Sequence, residues 1–204
     1  TLELLRQERP EQLGKWPFEI GLWVGKAATP NRIGAVGEKD PSSARAKVVA
    51  HLNNSRKAAP VPVETCPWCG TKPKNTSFVL TSTGPEGRVR TDTNNPDQLR
   101  IICPNLKCRF KGSNPLPIVA VDEPIYRRLP CFLIATVDKL AALPWMGQSG
   151  ALLGGADRHD KRGFYAEYVA VAASHARSRR SRCNRGCSAS RRSSITCSAW
   201  PPCR

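Results

Sequence analysis

The sequence predicts an α/β fold that carries a cysteine-rich segment. Two apolar runs, PIVAV at 117–121 and CFLIAT at 131–136, are short and rich in branched residues, as the buried strands of a parallel sheet are. Turn signals separate them, and the segment VDKLAAL at 137–143 then predicts a helix. Strand, turn and helix in this order are typical of an α/β sheet.

The residues before the cysteines predict one further strand and two helices. Apolar residues spaced among charges predict a short amphipathic helix that ends at Gly14. Alternating apolar side chains then predict a strand across residues 18–24. Residues 42–57 predict a second helix, which Ser42 or Ser43 would cap.

Four of the nine cysteines form two close pairs on either side of a polar loop. With the spacings C-x2-C and C-x4-C, the pairs are Cys66, Cys69, Cys103 and Cys108. Four thiolates spaced in this way provide the tetrahedral ligand set that structural Zn²⁺ prefers. The wider second pair predicts a zinc ribbon with one irregular knuckle. Because protein would fill all four positions, we expect the zinc to fold this segment and not to catalyse a reaction.

The first cysteine pair alone also fits a redox dithiol of the thioredoxin kind. That fold places its motif at the start of a helix, whereas Gly-Thr-Lys-Pro at 70–73 breaks any helix. Cysteines without a ligand are a third alternative. We favour zinc, with Cys131 as a separate core residue. The basic residues that the knuckles would present are Arg100, Lys107, Arg109 and Lys111.

The formal net charge of +16 is compatible with a nucleic-acid partner and equally with a solvated surface. Half of this charge lies in residues 174–204, which hold eight arginines and no acidic residue. We expect this tail to be disordered, either as a basic arm or, as we favour, as the product of out-of-frame translation of GC-rich DNA. No run of about eighteen apolar residues occurs, so no membrane span is predicted.

Four segments, in this order along the chain, resemble the helicase subunit of DISARM-type bacterial anti-phage systems. They are PFEIGLWVGKAATPN at 17–31, CPWCG at 66–70, LPIVAVDEPIYRRLPCFLIATVDKLAALPW at 116–145 and DRHDKRGFY at 157–165. These helicases are large ATP-dependent enzymes of superfamily two. The first residues show neither an initiator methionine nor a signal pattern, so we expect a fragment of a longer cytoplasmic protein.

The resemblance implies part of a RecA-like helicase lobe into which the zinc-ribbon-like segment is inserted. In such helicases, a strand that ends in a threonine-containing loop before a helix contacts the sugar-phosphate backbone. Thr136 and Lys139 occupy this position, so the resemblance implies that they bind DNA. From the residues alone, Thr136 or Asp138 would simply cap the helix. The expected parts are the start of the lobe at 1–63, the insertion at 64–112, the continuation at 113–173 and the tail at 174–204.

The sequence lacks elements that an active helicase needs. The phosphate-binding pattern G-x-x-x-x-G-K-[ST] does not occur, so we expect ATP and Mg²⁺ to bind only in the full-length parent. Asp122 and Glu123 imitate the Mg²⁺-binding acidic motif, but they precede the ATVDK strand, whereas that motif follows it. We therefore expect this chain alone to be inactive, and a fragment to expose apolar sheet edges. The implied partners are DNA and other subunits of the defence system.

Two other functions remain open at this point. One is a stand-alone zinc-dependent nucleic-acid-binding module whose basic arginine tail is genuine. The other is an enzyme that uses Asp122 and Glu123 with a metal. His159, between Asp157 and Asp160, would fit a metal or phosphate site, although a polar surface loop is the simpler interpretation.

Overall fold

Three β-sheets organise the part of the chain that the structure, a computed structural model, describes: residues 1–25 and 27–165. The α-helices are α1 (Leu2–Glu8), α2 (Pro10–Leu13), α3 (Ala44–Asn53), α4 (Asp122–Arg128) and α5 (Val137–Ala142). The strands are β1 (Ile20–Trp23), β2 (Phe78–Thr83), β3 (Val89–Thr91), β4 (Gln98–Ile101), β5 (Ile118–Val119), β6 (Phe132–Ala135), β7 (Arg158–His159) and β8 (Phe164–Tyr165). Tight helical turns at Asn75–Ser77 and Leu143–Trp145 and a wider one at Ala151–Gly155 complete these elements.

The first sheet is parallel, as the sequence predicted, and β1 lies between β5 and β6. Trp23, the last residue of β1, is fully buried beneath α4. Its ring meets that of Tyr126 edge-on, with the ring centroids 5.7 Å apart. Residues 18–24 thus contain a central strand, which uses both of its faces for packing.

Strand β6 forms an exposed edge of this sheet within the described residues. Phe132 and Ile134 are 54% and 56% exposed, so the prediction of a buried strand is wrong for β6. An apolar strand is buried only where another layer of the protein covers it, and the sequence of the strand does not show whether such a layer is present. The open apolar edge agrees with one expectation of the fragment hypothesis, which itself stays a prediction.

The second sheet is antiparallel, with β2 between β3 and β4, and it lies within the cysteine-rich segment. Phe78, Leu80 and Ile101 of this sheet cluster with Val48 of α3 and with Val121. The segment therefore shares one apolar core with the residues on either side of it. The predicted domain boundaries stay predictions, and the tail expected at 174–204 lies outside the described residues.

Helix α4 occupies residues where the sequence predicted turns between two strands. Pro124 lies in the first turn of the helix, where its missing N–H removes no helical hydrogen bond. Leu129 ends the helix in the left-handed conformation, with a φ of 47°, and Pro130 follows. The two prolines thus delimit a helix that positions Asp122 at its start.

The third sheet is the hairpin of β7 and β8. Asp160 Oδ1 accepts hydrogen bonds from the N–H groups of Arg162 and Gly163 at 2.7 and 3.1 Å, which close the turn. His159 is exposed, and its ring lies 5.3 Å from that of Phe164. His159 is thus a surface residue, as the simpler interpretation predicted, but it lies in strand β7 and not in a loop. No helix within residues 1–25 and 27–165 has the length and apolar character needed to cross a membrane.

Ser43, and not Ser42, caps helix α3, which gives a first testable prediction. The Ser43 hydroxyl accepts a hydrogen bond from the Ala46 N–H at 3.2 Å. Ser43→Ala should lower the free energy of unfolding by about 1 kcal/mol, because it leaves this N–H without its cap. Chemical denaturation would measure the loss, and Ser55→Ala, at an exposed turn residue, is the control. Equal stabilities of the two variants would contradict the assignment.

Candidate metal centre and sheet-edge site

The first cysteine pair is held in a tight turn. The Gly70 N–H donates to the carbonyl oxygen of Cys66 at 2.9 Å, and the Cys66 N–H donates to that of Thr71 at 2.8 Å. Gly70 has a φ of 71°, in the left-handed region that glycine adopts without a steric penalty. This geometry turns Cys66 and Cys69 toward the same point.

The second pair follows β4 and forms a wider turn, as its four-residue spacing predicted. The Cys103 N–H donates to the carbonyl oxygen of Phe110 at 2.8 Å, and the Cys108 N–H donates to that of Asn105 at 3.0 Å. The Asn105 side chain accepts the Lys107 N–H at 2.9 Å and so fills the extra space in the turn. The Phe110 N–H points at the sulfur of Cys108, 3.4 Å away.

The four sulfur atoms lie within 4.8 Å of one another. The distance is 3.9 Å from Cys66 Sγ to Cys108 Sγ and 3.5 Å from Cys69 Sγ to Cys103 Sγ. A tetrahedron with Zn–S bonds of about 2.3 Å has edges of about 3.8 Å, which matches these separations. They exceed the disulfide bond length of about 2.05 Å. Within residues 1–25 and 27–165, these cysteines are the group of side chains whose geometry suits a metal ion.

The environment of the sulfurs favours a cation among them. Hydrogen bonds with the side chain and backbone of Thr71 lower the pKa of the exposed Cys69 to about 6. Burial raises the pKa of Cys103 to about 12 and also raises the pKa of Cys108. At neutral pH, the thiolate of Cys69 is thus favoured, whereas burial keeps Cys103 and Cys108 protonated. A divalent cation bound between the sulfurs would let these thiols ionise as well.

The surroundings of the quartet fit a structural role better than a redox role. No helix begins at the first pair, and Lys74 is still extended with φ −95° and ψ 168°. Cys66, Cys103 and Cys108 belong to the apolar core shared with α3. A four-coordinate metal would therefore fix two turns to that core and offer no open position.

The basic residues expected around the knuckles differ in their exposure and in their partners. The Arg109 guanidinium lies 3.5 Å from the Glu8 carboxylate. Lys111 donates to the carbonyl oxygen of Leu106, and Arg100 is half-buried on β4. The knuckles therefore present Lys107 and Arg109 more openly than Arg100.

Thr136 and Lys139 lie at the carboxyl ends of the parallel strands. Thr136 begins α5 but makes no side-chain cap, and its Oγ1 is buried without a hydrogen-bond partner among the described residues. Lys139 Nζ lies 2.5 Å from Asp122 Oδ2 and 3.1 Å from Asn31 Oδ1. It also lies 5.9 Å from the centre of the Trp23 ring.

Sequence analysis did not predict Asp122 as the counter-charge of Lys139. The two side chains are 9% and 16% exposed, so the pair is largely removed from water. Glu123 has other partners: it accepts the Ile33 N–H at 2.8 Å and lies 3.6 Å from Arg32. Asp122 and Glu123 therefore serve separate contacts of α4. In the sequence, this pairing is visible only as an aspartate that follows one predicted strand and a lysine that follows the next.

A cysteine substitution tests the metal centre. Cys103→Ser should reduce bound zinc from one ion per chain to almost none, because three thiolates and a hydroxyl bind zinc more weakly. Elemental analysis of the purified protein would measure the metal. Cys131 is exposed, so the prediction that it is a core residue is wrong. Because it also lies outside the quartet, Cys131→Ser is the matched control. Equal zinc contents of the two variants would contradict the site.

The pKa shifts also predict the direction of the pH dependence. Because the raised pKa values of Cys103 and Cys108 keep these thiols protonated at neutral pH, zinc must displace their protons. Zinc affinity should therefore rise as the pH increases from about 6 to 8. Competition with a chromophoric chelator would measure it, and an affinity independent of pH would argue against thiolate ligands.

The chain is similar to a known defence protein, although no protein-family model matches it. Over 174 residues, or 85% of its length, the chain is 32% identical to the DISARM protein DrmA of Bacillus paralicheniformis. The chain spans 14% of the length of that protein. The predicted resemblance to a DISARM component is thereby confirmed, and membership of a helicase superfamily stays a prediction.

Proposed function

We propose that this chain is a segment of a DISARM-type defence helicase that contacts the nucleic-acid backbone and is folded by a structural zinc ion. The identity to a DISARM protein supports the defence role, and the four clustered cysteines support the metal. ATP and Mg²⁺ would act only in the full-length parent. The remaining subunits of the defence system would be partners of that parent.

The observation that carries the DNA role is the convergence of polar groups where three parallel strands end. Trp23 ends β1, Asp122 follows β5 and Thr136 follows β6, so all three lie at one edge of the sheet. Ligands of open α/β sheets bind at this carboxyl edge. Lys139 adds a positive charge there, and Thr136 adds a hydroxyl group that has no internal partner in the described residues.

The ion pair with Asp122 sets how Lys139 would meet a phosphate. Since Asp122 and Asn31 already accept hydrogen bonds from the ammonium group, a backbone phosphate must compete with the Asp122 carboxylate for the charge of Lys139. Two anions thus compete for one lysine. Asp122 would keep the side chain ordered in the free protein and would lower its affinity for DNA.

Substitution of each partner of this pair tests the proposal. Lys139→Gln should weaken binding of single-stranded DNA and reduce the salt dependence of log K by about one charge. Asp122→Asn should strengthen binding, because it removes the competing anion. Fluorescence anisotropy with a labelled oligothymidylate would measure both effects, and Lys57→Gln, at an exposed position, is the control.

The same variants, measured for turnover as well as for DNA binding, separate the alternative functions. A metal enzyme built on Asp122 would lose turnover in Asp122→Asn without any gain in DNA affinity. For a stand-alone binding module, removal of residues 174–204 would abolish binding, whereas we expect little loss. If Lys139→Gln and Lys57→Gln bind equally well, Lys139 is not a DNA contact.

A further inference from the structure

Arg100 lies at the junction of two recesses at the other end of the parallel sheet. One is a cavity of about 220 Å³ that β4, β5 and residues near the N-terminus enclose. The other is an open groove of about 600 Å³ beside the hairpin of β7 and β8. The groove also includes Lys15 and Trp16, which precede β1, and Arg128, which precedes β6. It therefore lies at the amino ends of these strands, whereas Thr136 lies at their carboxyl ends.

The cavity contains one more positive charge than its carboxylates neutralise. Its charged lining residues are three arginines and two glutamates: Arg6, Arg100, Arg128, Glu3 and Glu19. Arg6 binds both oxygens of Glu3, at 2.7 and 2.8 Å. Arg128 binds both oxygens of Glu19, at 2.6 and 2.8 Å. Both glutamates are thus engaged, and Arg100 is the arginine left over.

Arg100 has a neutral partner only. Its Nε and Nη2 atoms donate to the side-chain oxygen of Gln98 at 3.2 and 3.1 Å. No carboxylate of the described residues lies within ion-pair distance of it. Burial and then the like charge of Arg128 lower the pKa of Arg100, while the negative charges of Glu19 and Asp97, which lie beyond ion-pair distance, oppose this shift. A half-buried cation whose direct partner is a neutral amide is only partly compensated, so Arg100 is available to a ligand that supplies an anion in contact with it.

The open groove has the composition of a single-strand-binding surface. Lys15 and Lys161 add positive charge beside Arg100. Three rings form an aromatic wall of the groove, with centroid separations of 4.8 to 6.0 Å: Trp16, His159 and Phe164. Of the acidic lining residues, Glu86 lies 3.6 Å from Arg88, and Asp160 accepts the hydrogen bonds that close the hairpin turn but has no ion pair among the described residues. Cations beside rings bind the phosphates and bases of single strands.

We propose that Arg100 binds a phosphate of single-stranded nucleic acid, with the adjoining base against the aromatic wall formed by Trp16, His159 and Phe164. This inference rests on the proposed function and adds a second contact with the nucleic acid at the amino ends of the parallel strands. Arginine suits the role because its planar guanidinium binds two phosphate oxygens at once. The incoming phosphate supplies the direct ion pair that Arg100 lacks among the described residues.

A pair of substitutions that each remove one positive charge tests the site in the full 204-residue chain. Arg100→Gln should weaken binding of labelled oligothymidylate about tenfold and reduce the salt slope by about one. Arg56→Gln, at an exposed residue outside both recesses, should change affinity little. Without DNA, the melting temperature of Arg100→Gln should be no lower than that of the unsubstituted chain, because a half-buried charge without a direct ion pair is removed. Inorganic phosphate alone, used as a competitor, shows whether free phosphate occupies the same site.

The outcomes separate this inference from the proposed function. Equal affinities of Arg100→Gln and Arg56→Gln would overturn it, even if Lys139→Gln binds weakly and the proposed function stands. If Arg100→Gln loses marked thermal stability or does not fold, Arg100 also supports the fold, and Lys15→Gln then decides the question, since Lys15 is exposed in the same groove. An affinity of Lys15→Gln equal to that of Arg56→Gln would then reject the site.

Discussion

The clustering of four thiols is the constraint on which the fold of the cysteine-rich segment depends. It joins the turn before β2 to the turn after β4, and three of the sulfurs lie in the apolar core. Structural zinc contributes about 10–16 kcal/mol of apparent binding free energy in small peptides, and whole domains have stabilities of about 5–15 kcal/mol. A metal at this centre would therefore match the stability of the entire domain. Because the same core includes α3 and Val121, the metal would also order residues outside the ribbon.

The N-terminal residues depend on a second set of interactions, between buried charges. Glu3 binds Arg6 and also accepts the Phe18 N–H at 2.7 Å, so it connects α1 to the segment before β1. Glu19 connects that segment to Arg128 at the end of α4. Both ion pairs are nearly removed from water, so each carboxylate needs its arginine, and loss of one partner leaves an uncompensated charge. Both glutamates are thus held by other arginines, and Glu19 acts on Arg100 only from beyond ion-pair distance.

The sequence was most informative where the chemistry is local. Cysteine spacing predicted the quartet, because short turns limit where paired sulfurs can point. Ser43 was one of two predicted caps, since capping depends on neighbouring residues only. Long-range features were not predictable in this way. The exposure of β6 depends on which strands adjoin it, and the Asp122–Lys139 pair joins residues on either side of that strand. Helix α4 was missed because its prolines suggest turns until their positions at the helix ends are known.

The cations at the two ends of the parallel strands differ in their partners. At the carboxyl ends, Lys139 already pairs with Asp122, so a phosphate gains only the difference in free energy between its own pairing with Lys139 and that of Asp122. At the amino ends of the strands, Arg100 has an amide oxygen as its direct partner and feels Glu19 and Asp97 only from beyond ion-pair distance, so a phosphate would form its first direct ion pair. Initial capture of an anionic strand should therefore favour Arg100, and exchange at Lys139 would follow.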